Sequence, residues 1–194
     1  MSEGRLLTLF FPVCWGIWAL IWFVASFGVK KATRHEDPWS RLSNTAPIWI
    51  CAFLLVVPSS WLGPLSLRLV PRNLTYYGIG AVLTVIGLGF AVWARYHIGR
   101  NWSGVITVKE DHALIRTGPY AIVRHPIYSG LILAILGAVL ARGDIAALLA
   151  FAFMLYAVLR RVGIEERWMS ETFGRDYADY KASTPALIPF VVRY

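Results

Sequence analysis

The chain has 194 residues, 57% of them hydrophobic and only 15% charged, with a formal net charge of +8. Its mean hydropathy of +0.56 is too high for a soluble domain, in which apolar residues make up about half or less. The composition therefore excludes a soluble enzyme and indicates an integral membrane protein. The positive charge needs no nucleic acid to explain it. It reads as the basic bias of loops on one side of a membrane, with help from anionic lipid headgroups.

A bilayer core of about 30 Å takes roughly twenty apolar residues of helix, and five candidate spans emerge in chain order. The first runs over Leu6–Val29. Lys30 and Lys31 follow its apolar core rather than precede it, so it reads as a retained anchor and not a cleaved signal. The second runs over Pro47–Leu69, interrupted by Pro58 and Pro64, and the third over Leu74–Ala94. The fourth, Pro126–Ala141, and the fifth, Ile145–Leu159, are joined by the short stretch ARGD (residues 141–144), which predicts a tight antiparallel helical hairpin. Cys14 and Cys51 both fall inside apolar runs and read as small packing residues, not as a disulfide or metal pair. The expected fold is all-α, a single membrane domain over residues 1–194 with about five transmembrane helices.

Alternating spans distribute the basic residues unevenly. One side receives Lys30, Lys31, Arg34 and Arg41, then Arg95, Arg100, Lys109, Arg116 and Arg124, then the six basic residues of the tail. That is fifteen of the nineteen Lys and Arg, leaving Arg5, Arg68, Arg72 and Arg142 on the other side. The basic side is cytoplasmic, so the expectation is an outside N-terminus and a cytoplasmic C-terminus.

Two segments on the cytoplasmic side are too polar to be plain connectors. They are residues 101–130, ending in RTGPYAIVRHPIYSG, and residues 160–180, RRVGIEERWMSETFGRDYADY. Taken singly, their features have ordinary explanations. His125-Pro126 suits a helix start, with Pro at the first helical position. Arg124 suits a juxtamembrane charge, and Arg161 and Glu165 are spaced to pair along a helix. Glu166 and Arg167 suit a solvated face. Trp168 or Met169, with Phe173, Tyr177 and Tyr180, fall at helical spacing and predict a cytoplasmic amphipathic helix at the interface. Taken together, two polar clusters converge at one membrane face. Ionisable groups at membrane depth cost about 2.5–3.5 kcal/mol each at a span's centre and mark functional sites.

The stretch GPYAIVRHPIYSG, followed by EERWMSETFGRDYADY, resembles the isoprenylcysteine carboxyl methyltransferase and phospholipid methyltransferase superfamily. The shared pattern reads H-x-L-[VI]-x-x-G-x-Y-x-x-x-R-H-P-x-Y, then a hairpin, then E-E and F-G-x-x-Y-x-x-Y. It covers residues 100–190, about half the chain. The resemblance implies a membrane enzyme using S-adenosylmethionine, with residues 73–194 as the core holding the cofactor pocket and residues 1–72 as two further spans. It further implies that His112, Ala113, Leu114, Ile115 and Tyr120 hold the cofactor. His125, Pro126, Ile127 and Tyr128 would line it, and Glu165 would contact it. Arg161 would face the methyl acceptor, with an extra Arg160 beside it; Arg161 and Glu165 are the implied catalytic pair. No metal is implied.

These residue types suit that chemistry. Aromatic faces attract a sulfonium by about 0.5–2 kcal/mol, and a carboxylate pairs with a cationic group. Methyl transfer is an in-line displacement, so catalysis consists largely of holding acceptor and methyl about 3–3.5 Å apart. A carboxylate acceptor is already ionised and needs only an Arg to orient it. An amine or thiol must lose a proton and needs a base such as Glu165 or His125. Arg161 favours a carboxylate on a lipophilic molecule; a phospholipid amine or a small thiol stays open. A sterol-reductase-like enzyme using NADPH and a non-catalytic membrane subunit are the remaining alternatives.

Overall fold

In the computed structural model, residues 3–27, 37–99, 102 and 114–190 are described. Within them the elements are α1 (Glu3–Ala25), α2 (Pro38–Val56), two short 3-10 turns (Ser59–Trp61 and Gly63–Ser66), α3 (Leu74–Ile98), α4 (Pro119–Ile122), α5 (Pro126–Arg142), α6 (Ile145–Phe173) and α7 (Arg175–Ser183). The described residues form no strand ladder; Arg68 and Asp144 make one isolated antiparallel bridge. Of these helices, Leu74–Ile98 and Ile145–Phe173 are long and apolar enough to cross a membrane by length and composition, whereas α5 and Leu9–Ala25 are apolar but shorter.

Two helices, α2 and α6, differ most from expectation. α2 begins at Pro38, nine residues before Pro47. Asp37 caps it, its carboxylate accepting from the backbone N–H groups of Trp39 at 3.2 Å and Ser40 at 2.9 Å, and Pro38 occupies a position where no N–H is needed. Pro47 lies inside the helix, and the residues after Val56 turn into 3-10 structure instead of continuing to Leu69. α6 continues fourteen residues past Leu159, through Gly163, and with no proline in the way it ends only at Gly174, which adopts φ +52°. The predicted amphipathic helix is thereby divided between the end of α6 and α7.

The hairpin forms as expected. Gly143 closes α5 in the left-handed conformation, and Asp144 caps α6 by accepting from Ala147 N at 2.9 Å. α3 and α5 pack antiparallel with almost no space between backbones. A Cβ at Gly87 would lie 2.5 Å from the Gly130 carbonyl oxygen, and one at Gly80 would lie 2.4 Å from that of Gly137. Small residues at the crossing let polar backbones meet where lipid offers no hydrophobic drive, and Thr84 Oγ1 seals the contact by donating to Ala134 O at 3.0 Å. α2 lies antiparallel against α6, with Cys51, Leu54, Ala146, Ala150 and Met154 in one core cluster. α1 runs parallel to α3, meeting it near Tyr77 at one end and Trp102 at the other.

Candidate functional site

The approach to α5 is held from behind by the segment that follows α7. Arg124 N donates to Pro185 O at 2.8 Å, His125 N to Ala186 O at 3.0 Å, and Ser129 Oγ to Leu187 O at 2.5 Å. The first two satisfy backbone N–H groups that the helix start leaves over. His125 occupies the N-cap position, yet its side chain makes no capping bond. Its imidazole is free of that duty and turns to α6.

There it meets two carboxylates. His125 Nδ1 lies 3.4 Å from Glu165 Oε2, and Nε2 lies 3.3 Å from Glu166 Oε1. Tyr128, one turn along α5, donates its hydroxyl to Glu165, and its ring lies nearly parallel to His125 at 5.9 Å between centroids. Burial opposes the imidazolium, but the hydrogen bonds and charges of Glu165 and Glu166 outweigh it and hold the His125 pKa above the usual histidine value.

Glu166 is the centre of the second half of the site. Arg124 reaches it through Nε at 2.9 Å and through Nη2. Lys181 Nζ of α7 lies 3.1 Å from its other oxygen. Arg124 also donates to Thr184 O and is only 4% exposed. This corrects two simple readings. Arg124 is a buried cross-link between α5, α6 and the segment after α7, not a juxtamembrane charge. Glu166 faces inward, with a side chain 13% exposed, whereas its neighbour Arg167 is exposed. Spacing on one helix could not separate them, because what covers Glu166 comes from α5 and α7.

Arg160 and Arg161 divide by partner. Arg160 Nη1 donates to Ser40 O at 3.1 Å, Asn44 Oδ1 at 2.9 Å and Ser43 Oγ, all on α2. The Arg161 guanidinium lies 5.9 Å over the ring of Tyr128, the residue whose hydroxyl donates to Glu165. Ile115, Tyr120, Ile127 and Tyr128 gather in one apolar cluster, with Pro126 fully buried nearby and Leu114 half-buried. His112 and Ala113 lie outside the described residues. Tyr120 is fixed at its backbone by the Tyr180 hydroxyl, 2.5 Å from its carbonyl oxygen, and its ring stacks on His97. A Cβ at Gly118 would lie 2.7 Å from the same His97 ring, so only glycine fits this turn, which also has φ +58°.

The sequence gives no motif in α1, yet α1 supplies a wall. Trp22 packs against this cluster and meets Trp102 edge to face at 5.6 Å. Arg95, buried on α3, stacks over Trp102 at 4.3 Å and donates to Ala25 O. Aromatic residues at helical spacing are the only trace of this in the sequence, and they read equally as lipid-facing.

Fold and cluster together define a small helical protein with apolar helices and a charged, aromatic site at one end of the bundle. The phospholipid methyltransferase family profile matches residues 75–176, and the chain belongs to that family. It is 30% identical to the protein-S-isoprenylcysteine O-methyltransferase of Saccharomyces cerevisiae over 116 residues, 58% of this chain and 48% of that protein. It is 31% identical over 167 residues to the cobalt-zinc-cadmium resistance protein CzcN of Cupriavidus metallidurans, 84% of this chain and 67% of the relative. Among solved structures, the eukaryotic intramembrane Ras methyltransferase, isoprenylcysteine carboxyl methyltransferase, shares the fold. Its TM-score is 0.51 at 23% identity, over 82% of this chain and 55% of that one. The chain spans about half the length of the isoprenylcysteine methyltransferases it matches.

Proposed function

We propose that the chain is a membrane methyltransferase that moves the methyl group of S-adenosylmethionine to a carboxylate on a lipophilic acceptor. Family membership supports the reaction class. The site's donor set fits the cofactor: a carboxylate at Glu165 for a cationic group, aromatic faces at Tyr120 and Tyr128, and an apolar wall from Ile115, Ile127 and Trp22. S-adenosylmethionine, when bound, supplies a methyl group already activated on a sulfonium. The protein's part is then to bind, orient and exclude water.

One observation carries the choice of acceptor. The two groups that could deprotonate an amine or a thiol are committed to each other and to their neighbours. His125 lies between Glu165 and Glu166 with its pKa raised, and Glu165 accepts from Tyr128. An imidazole whose two ring nitrogens both face carboxylates is poorly placed to take a proton from an acceptor. A carboxylate needs none, and Arg161 is placed to orient it by a charge-assisted bond. Arg160, anchored on α2, is a structural residue in this reading.

The same reading places five helices across the membrane, α1, α2, α3, α5 and the apolar part of α6 over residues 145–159, with the site at the cytoplasmic face. The uneven distribution of Lys and Arg supports it. A reporter fused after Tyr194 should register a cytoplasmic location, and activity on the opposite side would overturn the orientation. The cofactor site is tested by calorimetry on the detergent-solubilised protein. His125→Ala and Glu165→Ala should each weaken S-adenosylmethionine binding at least about tenfold, the loss of one charge-assisted contact, while the variants stay folded. Unchanged affinity in both would remove these residues from the site.

A further inference from the structure

α6 carries a second charged face that the proposed site does not use. It is centred on Arg160, and Glu165 is turned about 140° away from it around the helix axis. Between this face and the start of α2 lies a groove of about 560 Å³, lined by Asp37, Arg160, Gly163, Arg167, Trp168 and Glu171 among others. It sits where the apolar stretch of α6 gives way to charge. Toward the bundle's other end α6 exposes Leu159 on the groove's flank and Tyr156 and Leu149 closer to the line of Arg160, by 53%, 54% and 38%. A charged cradle therefore continues into an exposed apolar track, which the membrane placement proposed above, on which this inference rests, sets where headgroups give way to acyl chains.

Among the described residues the lining holds two guanidinium groups and two carboxylates. Arg160 is held in place by its three bonds to α2, and Arg167 folds back along α6 with Nε 3.2 Å from Gly163 O. Guanidinium groups suit phosphate, carboxylates suit ammonium, and tryptophan is enriched at membrane interfaces. We infer that this groove binds the headgroup of a zwitterionic glycerophospholipid, its phosphate toward Arg160 and Arg167 and its ammonium toward Asp37 and Glu171, with the acyl chains along Leu159, Tyr156 and Leu149. This lipid is distinct from the methyl acceptor, because the groove and the Glu165 cluster lie on different faces of α6.

Gly163 offers a clean test. A Cβ there meets nothing within 4 Å, so a side chain at this position starts into open space in the groove. Tryptophan is also a better helix former than glycine. Native mass spectrometry of the full chain in detergent, titrated separately with phosphatidylethanolamine, phosphatidylglycerol, diacylglycerol and inorganic phosphate, reads the site without reference to methyl transfer. Phosphatidylethanolamine should be retained best. Gly163→Trp and Arg167→Gln should each weaken its retention about tenfold, the equivalent of one charge-assisted bond. Equal retention by Gly163→Trp and Arg167→Gln would overturn the site. Retention of diacylglycerol to the same degree would overturn headgroup recognition. Phosphatidylglycerol held as tightly as phosphatidylethanolamine would overturn the zwitterionic assignment, and saturation by inorganic phosphate alone would remove the lipid.

Discussion

Arginine and carboxylate meet in buried surroundings at both ends of the helical bundle. At the α5–α6 turn, Arg142 Nε pairs with Asp144 at 2.9 Å and Nη1 donates to Leu55 O at 2.8 Å. Asp144 in turn accepts from Ser59 Oγ at 3.0 Å and caps α6. At the opposite end, Arg124 pairs with Glu166, but the same carboxylate also meets Lys181 and His125, and Glu165 and Arg161 stand beside it. The first group closes on backbone and a single acid, so its bonds are spent on the fold. The second gathers cations from three elements around two carboxylates and faces an aromatic wall. Similar pairs thus become a clasp where one acid meets one arginine and the backbone, and a candidate site where several cations converge on two carboxylates.

The largest expected effect breaks the clasp. Asp144→Ala removes the α6 cap and strips Arg142 of its partner in a place where the Asp144 side chain is 1% exposed. Removing one member of a buried pair costs about 3–5 kcal/mol. A thermal melt in detergent should show this loss, with S-adenosylmethionine affinity unchanged in the fraction still folded. An unaltered melting temperature would mean that the turn is held by its backbone bonds alone.

The opposite end should respond in function rather than stability. Arg161→Ala is expected to raise the acceptor KM or lower kcat by about ten- to a hundredfold, the range of one charge-assisted bond, with S-adenosylmethionine affinity nearly intact. Loss of cofactor binding instead would make Arg161 a support for Glu165. A variant of full activity would remove it from the acceptor site.

The contrast between the two ends also sets how much the sequence reveals. Local signals were readable: Gly143 and Asp144 mark the hairpin, and Pro126 marks the start of α5. The R-H-P-x-Y stretch and the Glu pair indicated where chemistry gathers, and the structure brings His125, Tyr128 and Glu165 together. Glu166 was not readable as a hub, since its partners Arg124 and Lys181 lie 42 positions before it and 15 after it. The difference between Arg160 and Arg161 was equally hidden, because adjacent residues on a helix point about 100° apart and only the packing of α2 decides which becomes structural. The start of α2 carried its signal in Asp37-Pro38, but the weaker hydropathy of residues 38–46 masked it behind Pro47.

The central claim, methyl transfer to a carboxylate, is tested most directly by the chemistry of the product. The purified protein in lipid, given S-adenosylmethionine labelled on its methyl group and a prenylated cysteine with a free carboxylate, should produce label that mild base releases as volatile methanol. A methyl ester behaves in that way, whereas a methylated amine or thioether keeps its label. Base-stable label from this acceptor, or from a lipid amine in its place, would contradict the account.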